Sequence, residues 1–340
     1  MNLFNLLQLP SVPLEIVVKK LHSAKVIELS MMSSKFKQRL QEFKLKTRSL
    51  TWEYPHYIRV SSPNLELNFG LNGPWNTRKI NGKQVMMKSN YSMKFCSFLF
   101  IECEDRNYLQ LLEDMTVHLL SILRIQRFNF ASQIKSYVCS LNEIFVWKYC
   151  QKFYTIRLES RREITPNEVT FLLDNIETKE LEICCKIENF QYEKPINSDV
   201  LKVFTFEWMN PKCFLSDRYT QLMFFGAMST YFHYFRAVLN NWLAGGNNNL
   251  RNCFLGENLH EITALDFSRD LPGVETRPSV FSYEDLRSRT AQLIDENDGK
   301  VDVRRECDGR LATIIWTQHR IELLVWNNDA QEKLKNFSKF

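Results

Sequence analysis

Leu7-Gln-Leu-Pro-Ser-Val-Pro-Leu-Glu-Ile-Val-Val-Lys-Lys-Leu21, running on to Met32-Ser-Ser-Lys-Phe36, is the stretch on which the reading of this chain turns. Leu9-Pro10 reads as a turn. Ser11 has the side chain of an N-cap, and Pro13 is tolerated in a first helical turn. Val12, Leu14, Val17, Val18 and Leu21 recur at helical spacing, with Glu15, Lys19 and Lys20 on the other face. After a break at His22-Ser-Ala24, Val26, Ile27, Leu29 and Ser30 lead on through Leu40 with mixed helical period. Two or three small amphipathic helices are expected before about residue 45. They hold too little apolar surface to fold well alone, and a much larger body follows them.

The period changes beyond that stretch. Leu50-Thr-Trp-Glu-Tyr54, Tyr57-Ile-Arg-Val60 and Leu65-Glu-Leu-Asn-Phe69 alternate apolar and polar residues, punctuated by Pro55, Pro63 and Gly70. Such runs predict hairpins or a meander, extended by residues 85–88 and 95–101. Residues 109–125 return to helix, with Leu112, Met115, Leu119 and Ile122 on one stripe. From Phe145 onward, strands and helices alternate. Strands are expected from Tyr154, from Leu181 and from Val203 to Trp208, with a capping box at Thr165-Pro-Asn-Glu168. The strand spacing of 25 and then 22 residues matches leucine-rich-repeat units; a coincidental β-α alternation fits equally well. Ser229 or Thr230 is expected to cap a helix that Gly245-Gly246 ends, and Leu250-Arg-Asn-Cys-Phe-Leu255 to restart a strand. Asp308-Gly309 reads as the primed turn of a C-terminal hairpin, Ile321 to Trp326 as a third strand, and residues 266–298 as a loop or exposed helix.

The net charge of +5 is uneven. Residues 1–50 hold nine basic and three acidic side chains, so the rest of the chain carries a net −1. Such a cluster is usually a solvated face. Phe36, Phe43 and Trp52 lie near it, but their spacing is that of core residues, so nucleic-acid binding is the lesser reading. Nine cysteines without a framework spacing, several in apolar runs, indicate reduced thiols and a cytoplasmic or nuclear setting. No membrane partner is expected: the most apolar run, residues 222–234, is broken by Gly226, Ser229, Thr230 and His233.

Searching for chemistry returns little. His260-Glu261 begins a zinc-protease pattern, but Ala264 stands where the second histidine belongs. There is no Cys-x-x-Cys, no phosphate-binding glycine loop and no Gly-x-Ser-x-Gly elbow. No metal, cofactor or catalytic residue is called for.

The opening stretch resembles an F-box: the Leu9-Pro10 turn, then Leu14, Val17, Val18 and Leu21, then Val26, Ile27, Leu29 and Ser30, ending on Lys35-Phe36. Phe36 stands where many members have Trp, and Ser23-Ala24-Lys25 where an acidic or proline-containing turn is common. The remainder resembles the nematode F-box proteins that carry an F-box-associated domain of type two. Residues 235–250, with Trp242-Leu-Ala-Gly-Gly-Asn-Asn-Asn-Leu250, carry that resemblance, together with Val303-Arg-Arg305, Asp308-Gly-Arg-Leu-Ala-Thr-Ile314 and Leu324-Val-Trp326.

The resemblance implies an α+β or α/β chain: an F-box over residues 6–46, a β-rich segment over 47–108, a degenerate leucine-rich-repeat-like substrate domain over 109–275, and a C-terminal loop and hairpin over 276–340 that close the body. It also implies a substrate adaptor of a cullin–RING ubiquitin ligase with no catalytic residues of its own. Leu9, Pro10, Leu14, Val17, Val18, Leu21, Ile27 and Leu29 would meet a Skp-family adaptor and, through it, a cullin, while the body holds a target protein. A scaffold that binds the Skp-family adaptor without recruiting cullin is the alternative.

Overall fold

The computed structural model describes residues 8–21, 23–62, 65–70, 76–80, 83–93, 96–102, 108–134, 140–160, 163–226, 228–256, 276–279, 281–287, 299–317 and 320–326. The chain is mixed α+β and divides into two compact units, Met1–Arg161 and Arg162–Phe340. The division falls inside the segment expected to run from 109 to 275. The helix and strands that follow residue 108 belong with the β-rich region before them, because they complete its sheet.

The first unit opens with three helices, α1 (Ser11–Lys20), α2 (Ser23–Met32) and α3 (Ser34–Phe43). Ser11 is not the cap of α1; Pro10 occupies that position, and the Ser11 hydroxyl donates to Glu42 Oε2 at 2.9 Å. The α3 N-terminus is capped, with the Phe36 N–H donating to Ser33 Oγ at 3.2 Å. Strands β1 (Leu45–Tyr54), β2 (Tyr57–Ser62) and β3 (Leu65–Gly70) form an antiparallel meander. β4 (Asn76–Ile80), β5 (Lys83–Met93) and β6 (Cys96–Glu102) extend it through a parallel β3–β6 pair.

Helix α4 (Tyr108–Ile122) crosses back so that β7 (Leu123–Ile134) lies parallel to β1, and β8 (Lys152–Ser160) parallel to β7. α4 ends at Ile122, short of the residue 125 that periodicity predicts, and β7 takes over at Leu123. α4 is buried along Leu112, Met115, Leu119 and Ile122, the expected stripe. The Trp52 indole N–H donates to Thr116 Oγ1 at 3.0 Å, tying α4 to β1. Trp52 and Phe128 stack at 5.8 Å, and Phe130 and Trp147 meet at 4.8 Å.

In the second unit, helix α5 (Pro166–Asn175) begins with the expected capping box. The Glu168 N–H donates to Thr165 Oγ1 at 3.3 Å, and the Thr165 N–H returns a bond to Glu168 Oε2 at 2.9 Å. Replacing Thr165 by Ala is expected to lower stability by about 1 kcal/mol. The measurement is a shifted urea midpoint at constant slope; Thr165→Ser should move it little.

Four parallel strands follow in spatial order: β9 (Glu177–Cys184), β10 (Val200–Val203), β11 (Gln221–Phe225) and β12 (Asn252–Gly256). Glu180, Val200, Gln221 and Asn252 lie side by side, in steps of 20, 21 and 31 residues. The longest step contains helix α6 (Met228–Leu243). Because α6 starts at Met228, Ser229 and Thr230 lie within it rather than capping it.

The strand expected from Val203 to Trp208 instead ends at Val203. Phe206 and Trp208, whose alternation suggested a strand, both turn into the core, and the Met209 N–H closes a turn on the Phe206 carbonyl at 2.9 Å. Phe206 packs with Phe224 at 5.3 Å and with Tyr234 at 4.9 Å. Phe206, Phe224 and Tyr234 are all buried and form one aromatic core.

The C-terminal strands β13 (Thr276–Pro278), β14 (Gly299–Arg304), β15 (Leu311–Trp316) and β16 (Arg320–Val325) are antiparallel to one another, and β16 also pairs antiparallel with β12. A short helix, α7 (Tyr283–Arg287), lies between β13 and β14 in sequence. The rest of the expected 266–298 loop, and His260-Glu261, fall outside the described residues. The turn between β14 and β15 is not a two-residue primed turn. Both primed turns need positive φ at the first central residue, and here Gly309, at φ 72°, has it while Asp308 does not. The Arg305 N–H to Arg310 carbonyl bond (2.8 Å) encloses a wider loop. Among the described residues no helix is long and apolar enough to cross a membrane.

Candidate functional site

The N-terminal helices divide the apolar residues expected to face a partner. Leu14, Val18 and Ile27 are buried within the first unit, while Leu9, Val17, Leu21 and Leu29 are half-buried and Pro10 is exposed. Leu14 and Val18 lie one turn apart on α1 and face inward, while Leu21 follows the helix in extended conformation. A partner touching α1 therefore does not reach Leu14 or Val18; those side chains support the surface from below. Ile27 lies in the same core, beside Val26 and Met31.

The outward face of α1 is apolar as well. Val12 is 67% exposed and Ile16 54%, one turn apart, flanked by exposed Pro10 and Pro13 and half-buried Val17. On α2, Met32 is 55% exposed. Val12 and Ile16 lie roughly opposite Leu14 and Val18 around the helix, so α1 is apolar on two faces and covers only one of them. The signal was present in the sequence, because an i, i+4 pair of branched apolar residues falls outside the stripe that satisfies the core.

The turn that begins this face is clamped by α3. Arg39 Nη2 donates to the Leu9 carbonyl at 2.9 Å, while Arg39 Nη1 donates to both Glu42 oxygens at 2.9 and 2.8 Å. The Ser11 hydroxyl bond and then the Arg39 guanidinium hold the Glu42 carboxyl below the usual carboxylate range. At the far end of α1, Lys19 pairs with Glu15 at 2.5 Å. The outward face thus has a fixed Leu-Pro turn at one end and a basic border at the other.

Ser30 of α2 meets His118 of α4 inside the first unit, Oγ to Nε2 at 2.9 Å. The Ser30 hydroxyl hydrogen goes to the Ile27 carbonyl at 2.6 Å, so the imidazole Nε2–H must be the donor in the Ser30–His118 bond. His118 Nδ1 is then a bare acceptor with no partner among the described residues. Burial, reinforced by the charge of Lys37, lowers the His118 pKa to about 4.

In the second unit, the two motifs quoted from the middle and the tail of the sequence converge on Arg305, which is fully buried. Its Nε donates to Asp308 Oδ1 at 2.9 Å, and Nη2 to Asn248 Oδ1 at 2.8 Å and to Asp308 Oδ2. Nη1 reaches the carbonyls of Gly246 (3.3 Å) and Trp242 (3.5 Å), and the guanidinium lies 5.3 Å from the Trp242 ring centroid. Gly245, at φ 95°, makes the turn after α6 that presents these carbonyls. The bonds from Arg305 lead the effects that hold Asp308 at about 2. Nearby, Trp326 Nε1 donates to Thr313 Oγ1 at 2.8 Å and its ring stacks on Phe281. Trp242, Gly245, Gly246, Asn248, Arg305 and Asp308 thus form one structural knot.

The described buried thiols are not activated nucleophiles. Burial pushes Cys150 up to about 11 and both Cys185 and Cys213 up to about 12, the opposite of what thiolate chemistry requires. No family model matches the chain, and neither a curated protein nor a solved structure matches it.

Proposed function

We propose that the chain is an F-box substrate-recognition adaptor of an SCF-type cullin–RING ubiquitin ligase. The N-terminal helices bind a Skp-family adaptor, and the second unit, with its repeat-like parallel strands, serves as the F-box-associated body that holds a target protein. The observation that carries this reading is the uncovered apolar face of α1, Val12 and Ile16 beside the clamped Leu9-Pro10 turn. It adjoins the stretch whose residues resemble an F-box. Two branched side chains on one helical stripe, each somewhat over half exposed, gain about 1–2 kcal/mol each when a partner covers them. That is enough to make them the centre of a docking surface. The adaptor needs no chemistry of its own; it raises the effective concentration of its target beside the ubiquitin-loaded enzyme.

The test is co-purification of the full chain with a Skp-family adaptor, followed by titration. Val12→Asp combined with Ile16→Asp is expected to weaken binding by at least about a hundredfold, because it removes two apolar contacts and buries two carboxylates. Both positions are exposed, so the thermal unfolding of the variant should match the parent. A parent chain that does not bind the adaptor, or a double variant that binds it equally well, overturns the reading. Probing the same complex for cullin separates a ligase adaptor from a scaffold that stops at the Skp-family protein.

A further inference from the structure

At one end of the second unit's sheet, where β11 and β12 begin and β16 ends, a cleft of about 550 Å³ opens. This is within the size range of peptide and small-ligand sites. Four carboxamides line it: Gln221, Asn248, Asn249 and Asn252. Two guanidiniums, Arg251 and Arg310, share the wall with them, and the buried side chains of Leu250, Leu324 and Trp326 supply the apolar part. None of the lining residues is acidic.

The main chain of this region is already committed. The Arg251 and Asn252 N–H groups donate to the Thr220 carbonyl, the Val325 N–H to the Arg251 carbonyl, and the Trp326 N–H to the Leu311 carbonyl. Recognition in the cleft therefore falls to side chains.

Several of those side chains have spare capacity. Asn248 Oδ1 is taken by Arg305, leaving its amide hydrogens free. Asn249 donates to the Asp217 carbonyl, which leaves its Oδ1 open. Asn252 donates to Glu322 Oε1 at 2.5 Å, and its own Oδ1 is shielded from water without a donor. Gln221, half-buried, has no side-chain bond among the described residues. A carboxamide offers one acceptor and two donors, which is the complement of the C=O and N–H of an extended peptide residue.

The two arginines differ. Arg310 is neutralised by Asp308, Nε to Oδ2 at 3.2 Å, and is held to the Asn248 carbonyl at 2.7 Å. Arg251 is exposed and has no ion-pair partner among the described residues, so the described lining of the cleft carries one positive charge that no described carboxylate pairs.

We propose that this cleft binds an extended peptide segment bearing an acidic side chain. The carboxamides hold the peptide main chain, and the Arg251 guanidinium takes the carboxylate. The inference rests on the adaptor reading only in making that peptide part of the target; the binding chemistry stands without it.

The test probes an array of immobilised extended peptides with the full chain, each Glu-containing peptide matched by its Gln counterpart. Glu peptides should be retained about tenfold more strongly than their partners. Arg251→Glu and Gln221→Glu should each lower that retention about tenfold or more, and Arg251→Lys should keep part of it. Both positions lack side-chain bonds to the fold, so unchanged thermal unfolding is the control for folding. Retention of no peptide, equal retention of Glu and Gln forms, or undiminished retention by the two glutamate variants overturns the proposal. Skp-family adaptor binding, measured on the same preparations, fails independently. Its loss with peptide retention intact removes the adaptor reading and leaves the cleft.

Discussion

Arg305→Ala is expected to cost the second unit about 1.5–3 kcal/mol, the range for hydrogen bonds to a charged group, because the guanidinium is buried while its Asp308 partner is exposed. The guanidinium is out of water, and all three of its nitrogens donate to protein acceptors. An alanine would leave the Asn248 amide oxygen and the Trp242 and Gly246 carbonyls without that donor, and would strip Asp308 of its main counter-charge. Of these acceptors only Trp242 belongs to a buried residue; Asn248 and Asp308 are exposed, and water can take over their lost bonds. Arg305→Lys should recover only part of the loss, because an ammonium on a flexible stem does not reproduce the planar fork. Urea unfolding followed by tryptophan fluorescence is a suitable readout, since Trp242 lies against the guanidinium. A loss below about 1 kcal/mol would show that the knot is solvated rather than structural.

Acidification should weaken the first unit through His118. The folded pKa of about 4 lies below the value of about 6.5 for an unfolded histidine, so the unfolded chain binds the proton first. The contribution of the neutral ring is complete above pH 6.5 and is lost as the pH falls through 4. Linkage puts the loss at about 2 kcal/mol by pH 5 and about 3 kcal/mol at pH 4. The cause is local: a proton arriving at Nδ1 finds no acceptor, and Lys37 adds like-charge repulsion. Urea midpoints of the parent and of His118→Gln, measured from pH 7.5 to pH 4, isolate the effect. Their difference should shrink as the pH falls. Parallel curves would mean that His118 titrates normally.

The features legible in the sequence were those whose cause is local. The Thr165–Glu168 box is set by residues three apart, the α4 stripe by its own period, and β1 and β2 by alternation bounded at Pro55. Where the cause is long-range, the reading failed in a consistent way. β7 follows α4 without a breaker, and its parallel pairing with β1 depends on residues more than seventy positions away. Phe206 and Trp208 alternate like a strand but are drawn into an aromatic core built from α6 and β11. On α1 both stripes are apolar, so periodicity did not say which stripe the fold would claim; the core took Leu14 and Val18 and left Val12 and Ile16. Arg305 and Trp242 lie 63 residues apart, and nothing in the spacing of either motif announces that they meet.

The position of β16 bears on how the chain is made. It is the last described strand in sequence, yet it is an interior strand of the second unit's sheet, joining β15 on one side to β12 on the other. During synthesis, the parallel strands β9 to β12 exist with an open apolar edge at β12 until residues 320–325 leave the ribosome. The outward face of α1 is complete long before that. A nascent or prematurely terminated chain therefore presents a finished apolar helix face attached to an unfinished sheet, whose bare edge is an invitation to aggregation. Translation to the final strand is what turns the second unit from a liability into a platform.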